Sequence, residues 1–566
     1  LPAPGKPPGK LSNTLSRTVH DKFNGFKSGL KIIIKKVVSL NNKTLIFGNG
    51  PCAHYIAEDL LSTGADIVIA TTDKTCDFSP SEHSGSIEIL TDTRLVSCHG
   101  TAGNFRILAA QNNNHITRTV AGIIVAEEDQ RKPNFSLYGL KASSHVIRLS
   151  RMKKLLLDSF QEESFLSGSK KVVFLTGLVK ESHPAIAEEI MHSALRLQSD
   201  FNLQTYILTA NLKVAADGLE ALYRETKEAG AVYIKFTDTR PEIHSESDDS
   251  VQIEFVDEIT LKKFRLTPGI TVVDETIVPS DYAADLSRIL GVDTDADGFV
   301  QTDNVHRFTV FTNRKGIMTA GPSRSIQTCS DQITDAANAS LASTELIAGL
   351  QIVPEDRAEI DKGQCIRCLT CYRLCPYRAI TLNTRVVVEP HACERCGICA
   401  AQCPRGAIRI KHLDPALISK QMVTGYTPQK EDAFTPFIVA FCCSRSAVQA
   451  HELARCMGHE LPSGLKVIEV PCSGSISLDH IFAAFKKNAD GVIVLTCHEG
   501  NCHSEHGNVY ARQTVDQIAD KFPQIGFEKD RIAIQTLASN MGTEFAEMVN
   551  RFEANIIELG PSRLKK

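Results

Sequence analysis

Two runs of cysteine in the middle of the chain carry the most explicit chemistry. Cys365-Ile-Arg-Cys368-Leu-Thr-Cys371-Tyr-Arg-Leu-Cys375-Pro is matched 28 positions later by Cys393-Glu-Arg-Cys396-Gly-Ile-Cys399-Ala-Ala-Gln-Cys403-Pro, and the trailing Ala379-Ile380 and Ala407-Ile408 also agree. Three thiolates spaced Cys-x2-Cys-x2-Cys wrap one cubane on a tight loop, and the fourth, before proline, serves the other cluster. The spacing predicts one 4Fe–4S cluster on Cys365, Cys368, Cys371 and Cys403, and a second on Cys393, Cys396, Cys399 and Cys375. Structural zinc, the alternative, prefers two separated pairs with a longer gap. Thiolates on every iron leave no open position for a substrate, which suits one-electron relay.

A second cysteine set lies nearer the C-terminus: Phe441-Cys442-Cys443-Ser444-Arg445-Ser446, Val470-Pro471-Cys472-Ser473-Gly474, and Thr496-Cys497-His498-Glu499-Gly500-Asn501-Cys502-His503. Each group follows a predicted strand, so the three meet at one edge of a parallel sheet, the usual ligand position in such sheets. Cys443, Cys472, Cys497 and Cys502 could hold one small iron–sulfur cluster, with Cys442 as a substitute ligand. Zinc on Cys497, His498, Cys502 and His503 is the competing assignment. Cys456, in a helical stretch, reads as core, and Cys52, Cys76, Cys98 and Cys329 read as core or surface thiols.

The third motif is Gly48-Asn49-Gly50-Pro51-Cys52-Ala53, between a predicted strand and helix. In a dinucleotide fingerprint Gly48 makes the turn, Gly50 admits the pyrophosphate and Ala53 packs helix on strand. The acid expected at the end of the next strand is replaced by Thr71, with Asp73 two residues on, which also leaves room for a non-binding remnant. Thr312–Gly321 looks like the late strand-and-glycine segment that meets a flavin's phosphate, with Pro322 where an acid is usual. After Val172–Thr176 the chain reads Gly177-Leu-Val-Lys-Glu-Ser, without a second glycine fingerprint. No close cysteine pair precedes residue 365, which argues against a flavin-linked dithiol reductase.

The elements that must position these groups follow from pattern. Residues 1–43 form a basic Pro/Lys-rich tail, 44–350 alternate strand and helix as parallel-sheet proteins do, 358–412 hold the cysteine repeat, 413–436 read as a polar linker, and 437–560 return to α/β alternation. The 18 cysteines of this 566-residue chain are bunched, which argues for metal in a reducing compartment rather than a disulfide scaffold. A net charge of −4 gives no reason to expect nucleic acid. No run reaches the roughly 18 apolar residues of a membrane span. The expectation is a cytoplasmic protein.

With these residues in hand, 44–350 resemble the flavoprotein A-subunit of heterodisulfide reductase, through the segment from Gly177, Leu219-Glu220-Ala221-Leu222-Tyr223-Arg224 and Asp297-Gly298-Phe299. Residues 437–560 resemble the delta subunit of methyl-viologen-reducing hydrogenase, through Cys472-Ser-Gly, Asp490-Gly491-Val492 and the Cys497–His503 run. The fusion is most similar to the B-subunit family of quinone-interacting membrane-bound oxidoreductases. The resemblance implies an α/β fold: a Rossmann-like two-dinucleotide-domain flavoprotein, a two-cluster bacterial ferredoxin domain and a C-terminal delta-subunit-like domain. It further implies FAD at Gly48, Gly50, Ala53 and Gly321, two 4Fe–4S clusters, and a 2Fe–2S cluster in the C-terminal domain. The implied role is an oxidoreductase component of an anaerobic multisubunit complex, peripheral to the inner membrane face through a membrane-embedded partner. One departure is Ser446, where the delta family carries a Cys. Two other classes compete: a stand-alone flavin-dependent reductase of a small substrate, and a structural subunit with relic cofactor sites.

Overall fold

The computed structural model describes residues 42–80, 85–112, 114–157, 171–245, 250–301, 308–349, 356–382, 384–423 and 434–563. All but the last two positions of the basic stretch lie outside the described residues, as do 424–433 of the expected linker. Thr44–Phe47, buried along its whole length, is the middle strand of a parallel sheet ordered Ile317–Thr319, Gly122–Val125, Thr44–Phe47, Ile67–Ala70, Ile87–Leu90. Such strands are continuously apolar because both faces are covered. Helices Pro51–Ser62 and Cys329–Gly349 cover one face, with Ile56, Leu60, Ala336 and Ala339 in the shared core. The other face departs from the strand–helix alternation, which predicts helices on both faces. An antiparallel sheet of Thr93–Thr101, Asn104–Gln111 and Asn114–Val120 packs there beside helix Ala283–Leu290. Its signal is the alternation of Phe105, Ile107 and Ala109, which all point into the core.

Between Gly122–Val125 and Ile317–Thr319 the chain inserts a second parallel sheet, ordered Val232–Lys235, Gln204–Thr209, Lys171–Thr176, Ile270–Val273, Val146–Arg148. The antiparallel pair Gln130–Pro133 and Glu275–Val278 carries the chain in and out. Two Rossmann-like folds joined by a two-stranded crossing make a two-dinucleotide-domain flavoprotein fold.

The cysteine repeat follows as two short antiparallel pairs, Glu359–Ile360 with Ile408–Arg409 and Ile380–Leu382 with Val386–Val388. The C-terminal domain is a four-stranded parallel sheet, Leu465–Val470, Ile438–Cys443, Gly491–Thr496, Ile532–Thr536. Part of the expected linker is structured. Pro415–Val423 is a helix whose Ile418 and Met422 are buried in the core shared by the repeat and the C-terminal sheet. Pro415 marks a helix start rather than a break, with the Asp414 carboxylate accepting the Ala416 N–H at 2.9 Å. Cys456 is the last residue of helix Ala447–Cys456 and is exposed, not core.

Candidate functional site

The internal repeat persists in the backbone. Arg367, Leu369 and Arg378 take left-handed φ of 56°, 60° and 48°, and so do Arg395, Gly397 and Gly406 at 57°, 84° and 59°, each 28 residues on. These turns curl each loop around a void. One void is lined by Cys365, Cys368, Cys371 and Cys403 with Leu369, Val386 and Ile408. The other is lined by Cys375, Cys393, Cys396 and Cys399 with Ile380, Val388 and Ile410. Backbone N–H groups point at the fourth sulfur of each run, Ala379 to Cys375 Sγ at 3.4 Å and Ala407 to Cys403 Sγ at 3.3 Å. Enclosure pushes the Cys371, Cys375, Cys396 and Cys399 thiols above the ordinary range, a deprotonation cost that coordination to iron must overcome. Four sulfurs around an apolar void fit a cubane. Among the described residues no three Cys, His, Asp or Glu side chains converge as a single-ion site.

In the C-terminal domain strand alternation separates adjacent cysteines. Cys442 lies in the apolar layer with Ala450, Ala454 and Phe545, so it is on the wrong face to substitute as a ligand. Cys443, Cys472, Cys497 and Cys502 come together, all buried. Cys443 Sγ is 3.6 Å from Cys497 Sγ, and Ser446 Oγ donates to Cys497 Sγ at 3.5 Å, so the serine that the resemblance sets in a cysteine's place lies within the same group of side chains. Mutual S–H···S hydrogen bonds hold Cys443 and Cys502 below, and Cys472 and Cys497 above, the ordinary thiol range. Helix Gly507–Lys521 opens on glycine because a Cβ there would lie 2.2 Å from Cys472 Sγ. Of the alternative zinc set, His498 turns its Nε2 to Met541 Sδ at 3.5 Å, and His503 faces the Tyr377 ring at 6.4 Å.

The two sulfur regions are neighbours. Ile398, Cys472 and Cys502 share one small core with Cys396 and Tyr510 packed against it. A Cβ on Gly397 would lie 2.4 Å from Ser475 Cβ, and one on Gly474 would lie 3.0 Å from Ile398 Cγ1. Both glycines let the second cluster loop dock. The Tyr377 and Ser504 hydroxyls hydrogen-bond across the same seam at 3.0 Å. On the other side, Lys315 pairs with Glu394 and the Arg378 guanidinium rests on Gly291, tying the loop to the nucleotide folds. Motif and spacing do not single out Gly397, Gly507, Tyr377 or Ser504. Gly474 stands in the Cys472-Ser-Gly motif without a docking role to read from it, and Gly397 and Tyr377 show only as mismatches between the repeats.

The glycine loop turns where the first strand meets its helix. Gly48 takes φ +148°, and a Cβ would lie 1.9 Å from the Ala126 carbonyl oxygen, so the turn requires glycine. Gly50 is the N-cap and Pro51 the first residue of the helix, whose positive end faces the loop. Ala53 is buried between helix and sheet. Gly321, at φ +62°, sits against the same helix start, where a Cβ would lie 2.7 Å from Cys52 Sγ. These glycines therefore share one cradle of the form a dinucleotide needs. With Pro322 in the acid's place, the Gly321 N–H is donated to Asp335 Oδ2 at 3.2 Å, which also accepts from Arg324 Nε at 2.7 Å. Thr71 is buried, and Asp73 accepts from Asn49 Nδ2 of the glycine loop at 2.9 Å, so the acid beside the loop is Asp73. In the second fold Gly177 donates its N–H to Asp274 Oδ2 at 2.9 Å, and the next helix starts only at Pro184, capped by His183.

Fold and site together define a flavoprotein-type pair of nucleotide folds fused to two iron–sulfur domains. Residues 357–404 match the 4Fe-4S dicluster domain family, and residues 438–560 match the family described as methyl-viologen-reducing hydrogenase, delta subunit. The A-subunit of the ferredoxin:CoB-CoM heterodisulfide reductase of Methanosarcina mazei is 26% identical over 360 residues, 63% of this chain and 45% of that protein. The iron-sulfur D-subunit of the F420-non-reducing hydrogenase of Archaeoglobus profundus is 33% identical over 135 residues, 24% of this chain and 98% of that protein. The crystal structure of the thioredoxin reductase of T. acidophilum superposes at TM-score 0.35 and 14% identity over 55% of this chain and 99% of that one. The chain spans less than half the length of the heterodisulfide reductase relatives it matches. It is a protein like the heterodisulfide reductase A-subunit with a 4Fe–4S dicluster domain, and through its C-terminal domain it belongs to the hydrogenase delta-subunit family.

Proposed function

We propose that this chain is an electron-transfer subunit of an anaerobic heterodisulfide-reductase-like complex, and within that class of a quinone-interacting membrane-bound oxidoreductase. The carrying observation is the docking of the second cluster loop on the C-terminal sulfur site through Cys396, Ile398, Cys472 and Cys502, since one-electron transfer slows steeply with distance and relay favours closely spaced centres. FAD exchanges electrons in pairs or singly while each cluster exchanges one, and those properties belong to the cofactors. The chain's own residues hold and space them: Gly48, Gly50, Ala53 and Gly321 for FAD, the eight repeat cysteines for two 4Fe–4S clusters, and Cys443, Cys472, Cys497 and Cys502 for a 2Fe–2S cluster. The two relatives, subunits of separate enzymes by name, match 63% and 24% of one chain here, which supports a direct path between them. Partners are the other subunits of the complex. Among the described residues no helix is long and apolar enough to cross a membrane, so membrane association is assigned to a partner, at the cytoplasmic face.

The test is anaerobic iron and sulfide analysis with EPR. Two cubanes and one two-iron cluster give about ten irons per chain. Serine at both Cys365 and Cys403 should remove about four irons and one cubane signal while the other persists. Loss of both signals, or of neither, refutes the ligand partition.

A further inference from the structure

The nucleotide cradle already contains an anion supplied by the chain. Strand Gly122–Val125 runs parallel to Thr44–Phe47 with Phe47 opposite Val125. Continuing that register lays Ala126 against Gly48 and Glu128 over Gly50. A Cβ built on Gly50 would lie 1.5 Å from Glu128 Oε1 and 2.1 Å from its Cδ. The carboxylate therefore rests on the glycine whose missing side chain, in the fingerprint, makes room for the pyrophosphate. A helix N-terminus attracts negative charge, and here the nearest negative charge is internal. Its neighbours are committed elsewhere: Glu127 Oε2 accepts from Ser280 Oγ at 2.6 Å, and Arg131 pairs with Glu189 at 2.5 and 2.9 Å. Gly50 is buried beneath Glu128, while Glu128 itself is exposed to solvent and has room to swing outward.

We propose that Glu128 competes with the dinucleotide phosphate for this cradle and sets how tightly the chain holds FAD. The inference rests on the reading that the cradle takes FAD. Two anions cannot share the helix start, so FAD binds only the fraction of molecules in which Glu128 has withdrawn. Apparent affinity falls by that fraction, and folded, cluster-loaded protein is isolated poor in flavin.

The experiment titrates FAD into the anaerobically purified full-length chain, followed by flavin fluorescence and calorimetry, for wild type, Glu128→Ala and Glu128→Gln. Iron content and cluster EPR certify folding independently of flavin. An open fraction of about 10% or less makes Glu128→Ala bind at least about ten-fold tighter. Glu128→Gln, which keeps the bulk without the charge, should fall between. Tight binding of equal strength in all three overturns the role of Glu128 and leaves the FAD reading standing. Failure of all three to bind FAD overturns both.

Discussion

Replacing Gly397 by alanine tests whether docking of the second cluster loop is what joins the two sulfur regions. The added methyl meets two penalties. At φ +84° an L-residue is strained by about 1–2 kcal/mol. Its Cβ would also lie 2.4 Å from both Leu413 Cδ1 and Ser475 Cβ. The end of Leu413 can rotate aside, but Ser475 Cβ cannot move without its backbone, whose Cα is 3.3 Å away. Overpacking of this kind costs about 1–3 kcal/mol, so the seam loses about 2–5 kcal/mol. Each 1.4 kcal/mol is tenfold in an opening equilibrium. Amide exchange over residues 473–477, read anaerobically by mass spectrometry, should therefore speed up by at least about 30-fold. The Thr44–Phe47 strand should not change. A multidomain chain does not define one melting temperature, which is why local exchange is the measure. Leu369→Gly, at the equivalent position of the first loop, removes a strained φ of 60° and should leave 473–477 as protected as before. Unchanged exchange there in Gly397→Ala, with an unchanged EPR spectrum, would refute the docking.

Two further outcomes follow from the same structure. Cys442→Ser should keep the C-terminal cluster and its EPR signal, at a stability cost of about 1–3 kcal/mol for a buried hydroxyl, because Cys442 faces the apolar layer; loss of the signal contradicts that. FAD affinity of the wild type should rise as pH falls from 8 to 6. Partial desolvation by the surrounding protein, then Asp129, push the Glu128 carboxyl up from 4.5 to about 7, with Asp73 adding and Arg131 and Lys153 opposing. Protonation through that range removes the competing charge, and solvent reaching the exposed side chain moderates the effect. A Glu128→Gln titration as steep as the wild type's would show that another group is responsible.

Periodicity and spacing make much of this molecule legible from its residues alone. The eight repeat cysteines divide between two voids, because a tight loop leaves three successive thiolates little freedom. Strand ends gather Cys443, Cys472, Cys497 and Cys502 for a similar reason: in a parallel sheet the carboxyl ends lie side by side. What stays hidden depends on contacts across long separations. Glu128 belongs to no motif, and only register sets it on Gly50; Pro415 reads as a linker proline until Ile418 and Met422 find a core. Cys442 and Cys443 are interchangeable in composition and opposite in pleat.

The repeat itself separates cofactor residues from docking residues. Positions identical in both halves include the cysteines, the prolines after them and the Ala-Ile pairs at 379–380 and 407–408, and these alanines and isoleucines are buried in each half. Positions that differ reach outward. Leu369 becomes Gly397, which admits Ser475; Arg405 corresponds to Tyr377, which bonds Ser504; Gly406 corresponds to Arg378, which covers Gly291. A duplicated cluster module needs identical ligands in both halves because the same inorganic core must fit twice. Each surface contact is met by a residue of one half alone: Tyr377 of the first half and Gly397 of the second face the C-terminal domain, while Arg378 of the first and Glu394 of the second face the nucleotide folds. The asymmetry explains why the second loop, with glycine at its left-handed turn, carries the contact to the C-terminal sulfur site. The first loop keeps leucine at that turn, where its side chain packs against the core shared with the C-terminal sheet.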